Sequence, residues 1–162
     1  MEPKQDKIAG KATATKGSKR SGVARRTEIL TLDGCIPVEF LNSGDRVVTR
    51  DHGICVLRDI SIHFGLTAPY RIGAGTMAGK RPTRDLMVAS GQHVLIRDWR
   101  ARILFDKQQA LVPVSRLSDG TYISAEPSAI GDRFFGLHFD VNCVIYANGV
   151  ELASAAPVRV KA

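Results

Sequence analysis

An all-β domain, built as a sandwich or distorted barrel of short strands, is the fold class this sequence predicts. Three observations point there. From Thr27 onward, short β-branched and aliphatic runs are broken by Gly, Asp, Asn and Pro about every 8–12 residues. No apolar stripe of helical period persists for any length. Two tight-turn pairs, Asp33-Gly34 and Asn148-Gly149, stand between such runs, because glycine takes positive φ without steric cost. Alternating βαβ units and solenoid-period repeats are absent.

In chain order, Glu28–Leu32 reads as a strand, Asp33-Gly34 as its turn and Cys35–Val38 as the returning strand. Glu39–Leu41 leads into a second turn cluster, Asn42–Asp45. Arg46–Arg50 is a β-branched strand closed by Asp51-His52-Gly53, and Ile54–Leu57 and Ile60–Ile62 continue the rhythm. Further strands are expected at Tyr70–Ile72, Leu86–Val88, His93–Ile96, Ala110–Val114, Gly120–Ile123, Phe134–Phe139, Val144–Tyr146 and Val150–Leu152. Short helical turns are expected at Lys107–Leu111 and Ser115–Leu117.

With 44% hydrophobic residues the chain can build a core, and its formal charge of +7 is unevenly spread. Residues 1–26 hold eight basic residues against Glu2 and Asp6, whereas residues 27–162 hold fifteen basic and fourteen acidic ones. Apart from Met1, that first segment has only Ile8 and Val23 as large apolar residues. It therefore cannot bury enough surface to offset ordering entropy. The expected organisation is a disordered basic tail over residues 1–21, a domain over 22–157 and a short C-terminal tail over 158–162. The tail reads first as a solubilising or linking segment. A non-specific anionic partner, nucleic acid included, could be held by residues 1–26 through counterion release. No aromatic–basic interleaving or reader helix supports sequence-specific recognition. No apolar h-region follows the basic residues and no run approaches the about 20 residues of a membrane span, which favours the cytoplasm.

Several motifs fail on inspection. Gly73–Lys80 looks like a phosphate loop, yet Ala74 stands where a Walker glycine is needed, Arg81 stands in place of Ser or Thr, and no long helix follows. It reads as a flexible surface loop. Cys35, Cys55 and Cys143 are odd in number and widely spaced, which argues against a disulfide scaffold. His52 and Cys55, with Cys35 in the facing run and His63 nearby, lack the spacing of a zinc site. No metal and no cofactor is expected. Ser90-Gly91-Gln92-His93 is more informative: a hydroxyl and an imidazole three residues apart at a strand end can together polarise one peptide bond. Packing or capping is the ordinary use of such a pair.

Taken in order, these segments resemble the Hedgehog/intein (Hint) family, especially its bacterial branch. The carrying stretches are Thr27–Gly34 and Pro37–Asp51, the latter similar to the family's V-E-x-L-x-x-G-D-x-V segment. Arg84–Leu95 resembles D-L-x-V-S-P-x-H-x-V-L with Gly91 in place of proline, and His138–Val150 resembles D-x-H-x-V-I-x-A-N-G-V. The likeness spans roughly residues 22–155. It implies a Hint-type distorted barrel and an autocatalytic chemistry, an N–S or N–O acyl shift. In that chemistry a leading Cys or Ser attacks its own preceding carbonyl, and the peptide substrate belongs to the chain itself. A hydroxyl–x–x–His pair strains and protonates that peptide, and the ester formed is then opened by a second nucleophile.

Carried over by position, Ser90 and His93 match that pair and Asp140 matches a closing-block acid. The leading residue, five before Thr27, falls on Gly22, which has no nucleophile. Ser21 lies one residue off and could serve only if the register slips. The closing-block His falls on Asn142, which cannot cycle a proton near neutral pH. The resemblance thus implies a self-processing family member whose activity is lost or weakened. The alternatives are a non-catalytic binding or structural module and tail-mediated nucleic-acid binding. All mechanistic readings require residue 22, the imidazole of His93 and the Asn148-Gly149 turn to converge.

Overall fold

In the computed structural model, residues 20–158 are described. The tails expected over residues 1–21 and 158–162 therefore lie almost wholly outside the described residues. Among the described residues the domain is all-β, made of fourteen short strands, four 3-10 turns and one α-helix. The strands are β1 (Val23–Ala24), β2 (Glu28–Thr31), β3 (Gly34–Pro37), β4 (Arg46–Val48), β5 (Ile54–Val56), β6 (Asp59–Phe64) and β7 (Tyr70–Ile72). They continue as β8 (Leu86–Val88), β9 (His93–Ile96), β10 (Ala110–Pro113), β11 (Ile123–Ala125), β12 (Arg133–His138), β13 (Val144–Ala147) and β14 (Val150–Ala153). The helix, α1, spans Trp99–Phe105.

The strands form two curled sheets. One runs β11-β7-β8-β1-β12-β6. The other runs β10-β9-β14-β13-β2-β4-β5, with β3 paired to β2. Alternating side chains from both sheets fill one core around Ile29, Leu57, Ile72, Leu86, Ile96, Phe139 and Leu152, all fully buried. Val23 is buried in that core too, although composition groups it with the basic segment. Its strand is only two residues long. It persists because β8 and β12 flank it, with Val23 opposite both Val88 and Phe135.

Asn148 and Gly149 take φ of 49° and 86°, so the β13–β14 turn has the conformation the Asn-Gly pair predicts. The β2–β3 turn sits one residue earlier than expected: Thr31 pairs with Gly34, leaving Leu32 and Asp33 as the loop. The Thr31 hydroxyl donates to the Gly34 carbonyl and accepts from the Asp33 N–H, which fixes the loop at this position. Residues 107–111 do not form a helical turn. The helix lies earlier, where Asp98 caps it by accepting from the Arg100 N–H and Asp106 closes it in the left-handed conformation. Residues 115–117 do turn, within a 3-10 segment at Val114–Leu117. The expected strand at 120–123 is displaced to β11 because the Asp119 carboxylate accepts from the N–H groups of Thr121, Tyr122 and Ile123 and holds them in a turn. The glycine-rich loop at 73–80 folds back on itself, with paired hydrogen bonds between Met77 and Arg81.

Candidate functional site

Residues 20–22 enter the domain as an extended stub that continues into β1. The Arg20 carbonyl accepts from the Gly91 N–H at 3.1 Å, and the Gly22 carbonyl accepts from the Ala89 N–H at 2.9 Å. The peptide between them, Ser21–Gly22, is held at both ends. His63 Nε2 donates to the Ser21 carbonyl at 3.0 Å. The Gly22 N–H donates to Gln92 Oε1 at 2.9 Å. Gln92 is itself buried, and its Nε2 donates to the carbonyls of His93 and Ala153. One amide side chain therefore ties the entering stub to the start of β9 and the end of β14.

Beside this peptide lies a half-open cavity of about 440 Å³, lined by Arg20, Ser21, Ser61, His63, Gly91, His93, His138 and Ala153–Ala156. Strand alternation explains the company. Ser61 and His63 lie two apart on β6, and Gly136 and His138 two apart on β12, so each pair shares a face. Ser61 pairs with Gly136, and β1 lies on the other side of β12. Continuing the β1–β12 register by one residue sets Gly22 opposite Gly136. Two glycines in one row open a trough on the sheet, and the three histidines fill its rim.

Each imidazole is pinned by a backbone carbonyl. His63 Nε2 bonds Ser21 O, His93 Nδ1 bonds Gly91 O at 3.2 Å, and His138 Nδ1 bonds Ala156 O at 2.6 Å. A carbonyl only accepts, so these nitrogens carry the ring protons. Burial lowers the pKa of His63 below its ordinary 6.5, the Ser21 hydrogen bond opposes this, and the Arg20 charge adds to the lowering. His63 thus presents a neutral N–H to the peptide carbonyl near neutral pH.

Gly22 itself has no room for a side chain. A Cβ there would stand 3.0 Å from the Phe135 carbonyl oxygen and 3.2 Å from His63 Nε2, and its φ of +154° is one that L residues rarely adopt. Of the other residues singled out by sequence, Ser21 and His93 line the cavity, while Ser90 and Asp140 do not. The Ser90 hydroxyl bonds the Thr67 hydroxyl at 2.6 Å. Asp140 lies beyond the end of β12, where it forms a two-pronged, exposed ion pair with Arg58. Thus the structure does not assemble Ser90 and His93 into a joint clamp on peptide 21–22. Gln92 and His63 make the hydrogen bonds to it. The alternation Ile60-Ser61-Ile62-His63-Phe64 carried the signal that Ser61 and His63 face one way. Nothing local announced that they face residue 22.

The Asn148-Gly149 turn does not converge on this site. It lies at the opposite end of the β13–β14 hairpin, where Asn148 Oδ1 accepts from the Glu28 N–H and a larger cavity of about 600 Å³ opens. The residues that reach the site are those leaving β14, Ala153–Ala156. Cys143 is buried, and desolvation pushes its pKa up to about 12, so it stays a thiol. Among the described residues, no group of three or more His, Cys, Asp or Glu side chains is placed to hold a metal. Among them, too, no helix is long and apolar enough to cross a membrane.

A two-sheet β-fold whose first strand opens beside a β9 imidazole and the exit of the last hairpin defines the class of intein-like domains. The family model for the Hint domain matches residues 22–159, and the chain belongs to that family. Among solved structures, it is similar to the bacterial intein-like domain from Clostridium thermocellum, at 12% identity and a TM-score of 0.57, covering 83% of this chain and 98% of that one. It is also similar to a DnaB intein from Synechocystis sp. PCC 6803, at 10% identity and a TM-score of 0.57, again covering 83% and 98%. The gp41-1 intein is similar at 11% identity and a TM-score of 0.53, covering 81% of this chain and 96% of that one. No curated protein sequence matches the chain.

Proposed function

We propose that this chain is a Hint domain that no longer performs the acyl shift at its first position and serves as a non-processing module. The observation that carries the reading is Gly22. The family match begins at this residue, which brings no hydroxyl or thiol, and the space a side chain would need is taken. An acyl shift forms a bond from that side chain to the preceding carbonyl, and a residue without a hydroxyl or thiol cannot make it. The nearest alternatives are weak. Ser21 lines the cavity, but its attack would fall on the Arg20 carbonyl, one peptide early, and an unactivated hydroxyl is a poor nucleophile. Cys143 is buried and held as the thiol.

Intact-mass spectrometry tests the proposal. Freshly expressed protein should keep its full mass after incubation with dithiothreitol or hydroxylamine, which open thioesters and esters. Paired fragments breaking at 20/21 or 21/22 would overturn it, and their loss in Ser21→Ala would show that the displaced hydroxyl is the attacker.

A further inference from the structure

Gly136 sits in the middle of β12, and a Cβ there would stand 2.7 Å from Ser61 Oγ and 3.6 Å from His138 Nε2. The missing side chain leaves the space in which a hydroxyl and an imidazole meet. Ser61 Oγ lies 2.8 Å from His138 Nε2, and His138 Nδ1 lies 2.6 Å from the Ala156 carbonyl oxygen. Since that carbonyl only accepts, Nδ1 bears the proton of the neutral ring and Nε2 offers its lone pair to the Ser61 O–H. Nucleophile, base and a third group that fixes the base's tautomer are the parts of an activated serine. All stand on the cavity wall that the Gly22 reading leaves without a nucleophile.

We propose that Ser61 and His138 form a nucleophile–base dyad through which the cavity accepts acyl groups from small esters supplied from outside the chain. Ser61 Oγ bonds to the ester carbonyl carbon as its proton passes to His138 Nε2. The bond to the leaving alcohol then breaks, and Nε2 returns the proton to that alcohol. Water, deprotonated by the same nitrogen, opens the acyl-Ser61 ester, releases the carboxylic acid and restores the pair. Arg20 lines the same cavity and its positive charge is felt at His63, a field that favours an oxyanion there, while Ala153, Ala155 and Ala156 make a small apolar wall suited to a short acyl chain. This activity needs nothing from position 22.

The test uses the full chain, a fluorophosphonate probe and p-nitrophenyl acetate. The folded protein should gain one probe mass on the unbroken chain, mapped to Ser61 by peptide sequencing. The adduct should vanish in Ser61→Ala and persist in Ser128→Ala, which changes an exposed serine outside the cavity. His138→Gln should slow both labelling and ester hydrolysis about 100-fold or more, the usual scale of a general base. No adduct on the wild-type chain, an adduct mapped elsewhere, or labelling undiminished in His138→Gln would overturn the proposal. Should Ser61→Ala fail to fold, the mapping on the wild type decides the matter. Self-processing would instead split the chain, so the two readings fail at different masses.

Discussion

Replacing Gly22 by alanine probes the feature on which the functional reading stands. Two effects oppose each other. Alanine narrows the unfolded ensemble, which stabilises a protein by about 0.4–1 kcal/mol where the native backbone tolerates it. Here φ is +154°, and the added Cβ meets the Phe135 carbonyl oxygen at 3.0 Å, His63 Nε2 at 3.2 Å and Phe134 Cβ at 3.3 Å. Such backbone strain costs on the order of 1–3 kcal/mol for a non-glycine residue. The Phe135 oxygen belongs to β12, which β1 and β6 hold on either side, so it cannot yield cheaply. Strain should win, leaving Gly22→Ala destabilised by about 1–2 kcal/mol. At roughly 2–4 °C per kcal/mol for a domain of this size, Tm should fall by about 2–8 °C. Thermal unfolding followed by circular dichroism measures it. An unchanged or higher Tm would show that position 22 tolerates a side chain, and the argument for a lost acyl shift would then rest on the missing nucleophile alone.

Gln92→Ala removes three hydrogen bonds that join the entering stub, β9 and β14, and leaves the Gly22 N–H buried without its partner. Urea unfolding should show a loss of about 3 kcal/mol or more, and a loss under 1 kcal/mol would mean that water replaces the amide freely. For His63 the sign follows from its lowered pKa. The unfolded chain binds a proton near 6.5 while the folded ring resists it, so its stabilising contribution is complete above that pH and fades as pH falls towards the depressed folded value. Between pH 7 and 5 the wild type should lose more stability than His63→Asn in urea titrations, and equal slopes would contradict the assignment. Because burial pushes the Cys143 thiol up to about 12, iodoacetamide at pH 8 should modify exposed Cys35 in the folded protein and leave Cys143 untouched. Peptide mapping that finds Cys143 alkylated before unfolding would refute its burial.

Local sequence carried the all-β class, most strand positions and the tight turns, because side-chain alternation and turn chemistry act over a few residues. Helix α1 was legible in principle: Asp98 before Trp-Arg-Ala-Arg-Ile-Leu-Phe is an N-cap ahead of a short helix, but seven residues are too few for a clear period. β1 was hidden for a different reason. Val23 and Ala24 follow a basic segment, and only the slot between β8 and β12 makes them a strand.

By itself, then, the sequence determined the fold class, the family resemblance and the absence of a nucleophile at position 22, all written in residue identity and short-range pattern. The tertiary structure alone decided which atoms meet there. Gln92 reaches Gly22 across 70 positions of chain and Ser61 reaches His138 across 77, pairings made by cross-strand register and two glycines in a row. Register is settled when both sheets close on a common core, so no local stretch of residues encodes it.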